Sequence, residues 1–158
     1  MSSLLIITSV ENLQEEVNAA IKVLEGKTGI YLSLNKSCES VEKNLKSNKI
    51  NVDKIFFIDG VASEKSRDDF LHISPTQLDL LTTAIKTFIK KIPSEKYLII
   101  DTLATLLIYN SPNKVAQFVK NITEIASQNE IRLIAFSPKT KGEELLDKIF
   151  NFFDKVKK

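Results

Sequence analysis

A chain of 158 residues, 43% hydrophobic and 27% charged, has the composition of one ordinary globular domain. Its 22 basic and 20 acidic side chains are interspersed, which argues against a nucleic-acid partner; one cysteine, Cys38, excludes an intramolecular disulfide and, with a single histidine, argues against structural zinc. The opening MSSLLIITSVENL has neither the basic lead of a signal peptide nor the about 20 apolar residues of a membrane span, so a cytoplasmic location is expected.

The first element is the apolar run LLIIT at 4 to 8, whose length and lack of polar alternation suit a strand buried on both faces. A helix is predicted from Glu11 to Leu24, with Leu13, Val17, Ala20, Ile21 and Leu24 on one stripe. GIYLSL at 29 to 34 reads as the second strand, followed by a mostly polar helix from Ser37 to Lys46 that presents Val41 and Leu45. KIFFID at 54 to 59 is the third strand, and the polar loop Gly60 to Ile73 joins it to a helix for which Ser74 and Pro75 supply an expected N-cap and first turn. That helix runs through Leu78, Leu81, Ile85, Phe88 and Ile89 and stops before Pro93. YLIID at 97 to 101 is the fourth strand; a second Ser-Pro, Ser111 and Pro112, opens a helix carrying Val115, Phe118, Val119, Ile122 and Ile125. IRLIAF at 131 to 136 is the fifth strand, and a last helix is predicted from Glu143 to the end. Its Phe150, Phe152 and Phe153 widen the apolar arc beyond one sheet-facing stripe; core packing is the first reading of this arc, and self-association through part of it the second.

Strands and helices alternate throughout, the pattern of a single α/β domain over 1–158 with a mostly parallel five-stranded sheet and helices on both faces. The tripeptide Gly26-Lys27-Thr28 matches the end of the phosphate-binding loop G-x-x-x-x-G-K-[ST], but Ile21 stands where the first glycine belongs. It also closes a helix and leads into a strand, the reverse of the order that aims a helix N-terminus at an anion. Gly26 is read as a helix C-terminal residue. The place for such a loop, after the first strand, holds no glycine or lysine from Thr8 to Glu16, and Glu11, Glu15 and Glu16 would repel a phosphate there.

In order and spacing, GIYLSLNKS, DKIFFID, YLIIDTLATLL and IRLIAFS resemble the RecA-like ATPase core, in particular its archaeal KaiC-like branch, over nearly the whole chain. The resemblance implies a three-layer domain with strand order 5-1-4-3-2 and a ligand crevice at the carboxyl ends near strands one and four. It implies that Asp101 occupies the Walker B position, with Thr102 as the hydroxyl residue after it, and that Glu11 and Asn12 fill the rest of the crevice. It also leads one to expect an acidic pair after the second strand, where Asn35 and Lys36 stand. Asp101 reads equally as a strand-ending aspartate that caps the following turn and as the relic of a magnesium site. Losing the phosphate loop, its lysine and the water-activating acid removes most of what phosphoryl transfer needs. The expectation is therefore a non-catalytic, cofactor-free pseudo-ATPase acting as a protein-interaction or regulatory module; the alternative is an atypical nucleotide-binding switch or ATPase using the crevice near Asp101.

The remaining reactive side chains suggest no other chemistry. His72 has Asp68 and Asp69 close in sequence but no second histidine or nucleophile, and Cys38 at a helix start lacks a supporting motif. Ser33 and Ser37 lie in no G-x-S-x-G turn. Tyr109 and Asn110 are expected at the strand ends, in a turn before the second Ser-Pro helix start.

Overall fold

The computed structural model describes residues 3–61, 70–139 and 143–158. Seven parallel strands form one sheet: β1 (Ser3–Thr8), β2 (Thr28–Ser33), β3 (Ile55–Asp59), β4 (Leu71–His72), β5 (Lys96–Asp101), β6 (Arg132–Pro138) and β7 (Lys155–Lys157). Each apolar run of the sequence becomes a strand because both of its faces are covered. Helices α1 (Leu13–Val23) and α2 (Cys38–Ser47) pack on Ile6, Tyr31, Phe57, Ile99 and Phe136. Helices α3 (Leu78–Lys91), α4 (Pro112–Gln128) and α5 (Glu143–Ile149) pack on Leu5, Leu32, Ile58, Ile100 and Ala135. Successive residues of one strand thus enter different cores, and the sequence shows continuous hydrophobicity instead of alternation.

The strand order is β4-β3-β2-β5-β6-β1-β7, which corrects the expected five-stranded order. The pairing of the first run with the fifth and of the second with the third is as expected. The YLIID strand, however, lies between β2 and β6, so β6 separates it from β1. All five long strands are apolar on both faces, so nothing local distinguishes one neighbour from another; the order is set by how the crossover helices distribute over the two faces.

The two added strands close the sheet edges. β4 extends the sheet beyond β3 within the stretch expected to be an unbroken loop. β7 replaces the end of the predicted last helix: α5 stops at Ile149, a 3-10 turn spans Phe150–Phe152, and Lys155–Lys157 pairs with Leu4, Leu5 and Ile6. Asp154 clamps this return, its Oδ2 accepting from the Ser3 N–H at 2.9 Å while its own N–H donates to the Ser3 hydroxyl at 3.0 Å. Phe153 enters the core and Phe150 and Phe152 pack partly against it, so the wide aromatic arc is used within the chain. Lysines on an edge strand also discourage edge-to-edge pairing.

The Ser-Pro dipeptides at 74–75 and 111–112 have different roles. Ser111 caps α4, its hydroxyl accepting from the Lys114 N–H at 3.3 Å, with Pro112 in the first turn. Ser74 does not cap α3: its hydroxyl accepts from the Thr76 N–H and its carbonyl from the Gln77 N–H, so 74–77 closes on itself as a turn and the helix begins at Leu78. Gly29 of β2 is needed for space, since a Cβ there would lie 2.2 Å from the ring of Tyr97 on the adjacent strand.

Candidate functional site

The carboxyl ends of β3, β2 and β5 bring Asp59, Ser33 and Asp101 into one row, because Ser33 is in register with both aspartates. By strand alternation all three face the α1 and α2 side, the face of Tyr31 and Phe57. All three are buried.

Asp101 is only 3% exposed. Its Oδ2 accepts a hydrogen bond of 2.6 Å from the Tyr31 hydroxyl, and its Oδ1 has no partner among the described residues. Burial raises its pKa, while the Tyr31 hydrogen bond and then the Lys36 charge pull it down. Tyr31 is held well above the usual phenol range, first by burial and then by the Asp101 charge, so it remains a donor. Thr102 is also buried; its hydroxyl is shared with that of Thr105 at 2.9 Å, and it leads into the 3-10 turn Leu103–Ile108. Tyr109 and Asn110 follow that turn and precede α4, as expected, with Tyr109 exposed.

Asp59 performs a related task one strand beyond Ser33. Its Oδ2 accepts from the Cys38 N–H at 3.2 Å and its Oδ1 from the Val61 N–H at 3.1 Å. The N-terminus of α2, a position that suits an anion, is thus held by the chain's own carboxylate, with Ser37 capping the Ser40 N–H. His72 on β4 places Nδ1 3.8 Å from Asp59 Oδ1. Asp68 and Asp69, the acids close to it in sequence, lie outside the described residues. The Cys38 thiol is buried and its pKa is pushed up by burial, then by the Asp59 charge, which suppresses the thiolate.

Of the four crevice residues expected from the sequence, Asp101 and Thr102 are adjacent and buried, whereas Glu11 and Asn12 lie exposed on the 3-10 turn Val10–Asn12. No hydrogen bond joins the two pairs among the described residues. The intervening β6 explains this: the end of β1 is two strands away from the end of β5. Lys36 reaches the region from the β2–α2 loop. Its carbonyl accepts from the Ser33 hydroxyl and its Nζ donates to Gln14 Oε1 of α1 at 3.1 Å, which ties a cation beside Asp101.

Tyr31 and Asp59 are the residues that sequence reading missed. Two strands end in the same Ile-Asp pair, and a tyrosine inside a buried strand needs a partner for its hydroxyl; both were visible signals. Gly26-Lys27-Thr28 sits at the other end of the strands, before the amino end of β2. Gly26 has φ +96° just after α1, Lys27 pairs with Glu95 at 3.2 Å, and Thr28 is the first residue of β2.

No protein-family model matches the sequence, and no curated protein does. Among solved structures the chain resembles the crystal structure of a KaiC-like protein from the hyperthermophilic archaeon Pyrococcus horikoshii OT3. The TM-score is 0.72 at 12% identity, over 98% of this chain and 69% of that one. The fold is RecA/KaiC-like. At that identity the likeness concerns the fold and leaves the chemistry to the residues themselves. No described helix is long and apolar enough to cross a membrane.

Proposed function

We propose that the chain is a degenerate member of the RecA/KaiC-like class, of its archaeal KaiC-like branch, that lacks the Walker A loop and ATP chemistry and serves as a protein-interaction or regulatory module in the cytoplasm. The observation that carries this reading is the burial of Asp101 with one oxygen held by Tyr31. A carboxylate so enclosed is poorly placed to orient a magnesium-bound water.

The surroundings support the same reading. The β1–α1 segment has no glycine or lysine from Thr8 to Glu16, and Glu11 and Glu15 add negative charge at the start of α1, which disfavours a phosphate there. Lys36 puts a cation where a water-activating carboxylate is expected. The residues present do not fit a magnesium nucleotide. The proposed partner is another protein or a further copy of this chain; neither nucleic acid nor membrane belongs to the reading. A second reading, a nucleotide-binding switch near Asp101, is favoured by one observation, the unpaired buried Oδ1 of that residue.

Calorimetric titration with magnesium-ATP separates the two. Absence of heat and of turnover is the expected result, and micromolar binding that disappears in Asp101→Asn would establish the switch.

A further inference from the structure

Helices α3 and α4 both follow parallel strands on one face of the sheet, so they lie side by side and run in the same direction. α3 has 14 residues, a length of about 21 Å at 1.5 Å per residue. Two cavities follow the groove between the helices. The wider, about 540 Å³, lies between their N-terminal halves and is floored by Leu78, Leu80 and Phe118; the narrower, about 300 Å³, lies toward their C-termini beside Lys86 and Lys90.

Three features of the groove specify an occupant. The first is charge: Lys86, Lys90 and Lys114 line it against one acid, Asp79, and none of these lysines has a carboxylate partner among the described residues. The second is an apolar seat, since Leu80 is 46% exposed at the wide end and Ile108 and Tyr109 stand exposed just before Asn110 of the same cavity. The third is a wall of amides. Gln117 Nε2 donates to Asn121 Oδ1 at 3.0 Å, which leaves Gln117 Oε1 as acceptor and Asn121 Nδ2 as donor, without a further partner among the described residues. An acceptor and a donor on one helix can serve the N–H and C=O groups of a peptide backbone. Asn110 is fixed by donating to the Pro75 and Leu106 carbonyls, both at 3.0 Å, so one end of this wall is pre-organised.

We propose that the α3–α4 groove docks an acidic peptide segment of a partner protein. An apolar side chain of the segment enters the wide cavity over Leu80, its backbone meets the Gln117–Asn121 pair, and its carboxylates meet Lys86 and Lys90. The proposal rests on the interaction-module reading and gives that module its surface and the chemistry of its partner.

The test uses the full isotope-labelled chain and three fluorescent probe peptides: one with two leucines followed by four glutamates, one with the glutamates changed to glutamines, and one with the leucines changed to serines. Saturable binding of the first probe is expected, with amide shifts confined to the groove walls. Binding should weaken about tenfold or more for either control probe, and similarly for Leu80→Ser and for Lys86→Glu with Lys90→Glu. A probe bearing lysines in place of glutamates should recover binding to the charge-reversed variant, which a misfolded protein would not do. Lack of saturable binding, shifts elsewhere, or equal binding of the serine probe would overturn the proposal. Magnesium-ATP added to the same labelled sample tests the broader reading separately, since shifts around Asp101 and Lys36 would overturn that reading and leave the peptide result standing.

Discussion

Tyr31→Phe removes one hydroxyl and almost no volume, and so isolates the hydrogen bond on which the Asp101 site depends. The bond is 2.6 Å long and reaches a carboxylate that is 3% exposed, with its other oxygen unpaired. Hydrogen bonds to charged groups contribute about 1.5–3 kcal/mol, against about 1 kcal/mol between neutral ones. Burial raises the folded-state pKa of Asp101 above its unfolded value of about 3.9, so this carboxyl contributes stability that is complete below that value and is lost as pH rises through the folded pKa. Tyr31 lowers that folded pKa; without its hydroxyl the folded pKa rises further, and the variant loses more stability as Asp101 ionises. The expected deficit is about 2 kcal/mol at a pH above the folded pKa of Asp101 and about 1 kcal/mol at a pH below it. With a urea slope of about 2 kcal/mol per M, the midpoint should fall by about 1 M at the higher pH and half as much at the lower. In an Asp101→Asn background the pH dependence of the deficit should vanish. Equal losses at both pH values, or an unchanged pH dependence in that background, would refute the coupling of Tyr31 to a buried ionised Asp101.

Further substitutions probe how the scaffold is assembled. Gly29→Ala places a methyl 2.2 Å from the Tyr97 ring, and overpacking of this kind should cost about 1–3 kcal/mol in urea denaturation, with recovery when Tyr97→Val empties the space. Ser111→Ala removes the cap of α4 and should cost about 1 kcal/mol by the same assay, more than Ser74→Ala, whose hydroxyl stabilises a turn outside α3. Asp154→Ala removes the carboxylate that accepts from the Ser3 N–H and should loosen β7, exposing the β1 edge; increased mass by light scattering at high concentration is the expected readout.

The elements legible in the sequence were those specified locally. The five apolar runs became strands because burial on both faces needs no information beyond the run itself, and Ser37 and Ser111 cap the helices they precede. Gly26 takes the positive φ that glycine favours in the turn after α1, whose C-cap is Leu24, and this places Gly-Lys-Thr after a helix and before a strand, away from any phosphate argument. The features that were not legible depend on distant partners. β7 is stabilised by contacts with Ser3, 151 residues from Asp154, and its three residues KVK continue a helical apolar pattern that gives no notice of a strand. Strand order is equally non-local, and the misplaced YLIID strand in turn misplaced the crevice: it put Glu11 and Asn12 beside Asp101, whereas β6 stands between. The Tyr31–Asp101 bond spans 70 residues and becomes evident only when the registers of β2 and β5 are known.

The charged groups at the carboxyl ends of the central strands share one property: each is engaged by the chain itself. Asp59 closes the N-terminus of α2, Tyr31 binds Asp101, and Gln14 tethers Lys36. A site kept for a diffusible anion requires donors left unsatisfied until the ligand arrives, and at α2 those donors are already in use. On the opposite face, Lys86, Lys90 and Lys114 along α3 and α4 have no carboxylate partner among the described residues, and both helices are anchored by a buried core. A scaffold whose central strand ends are internally satisfied can place recognition on another face without rebuilding its sheet, because the two helical layers are stabilised by separate apolar clusters. Substitutions on the outer surface of α3 and α4 should therefore alter binding and spare stability, whereas those at Tyr31, Asp59 and Asp101 should alter stability and spare binding.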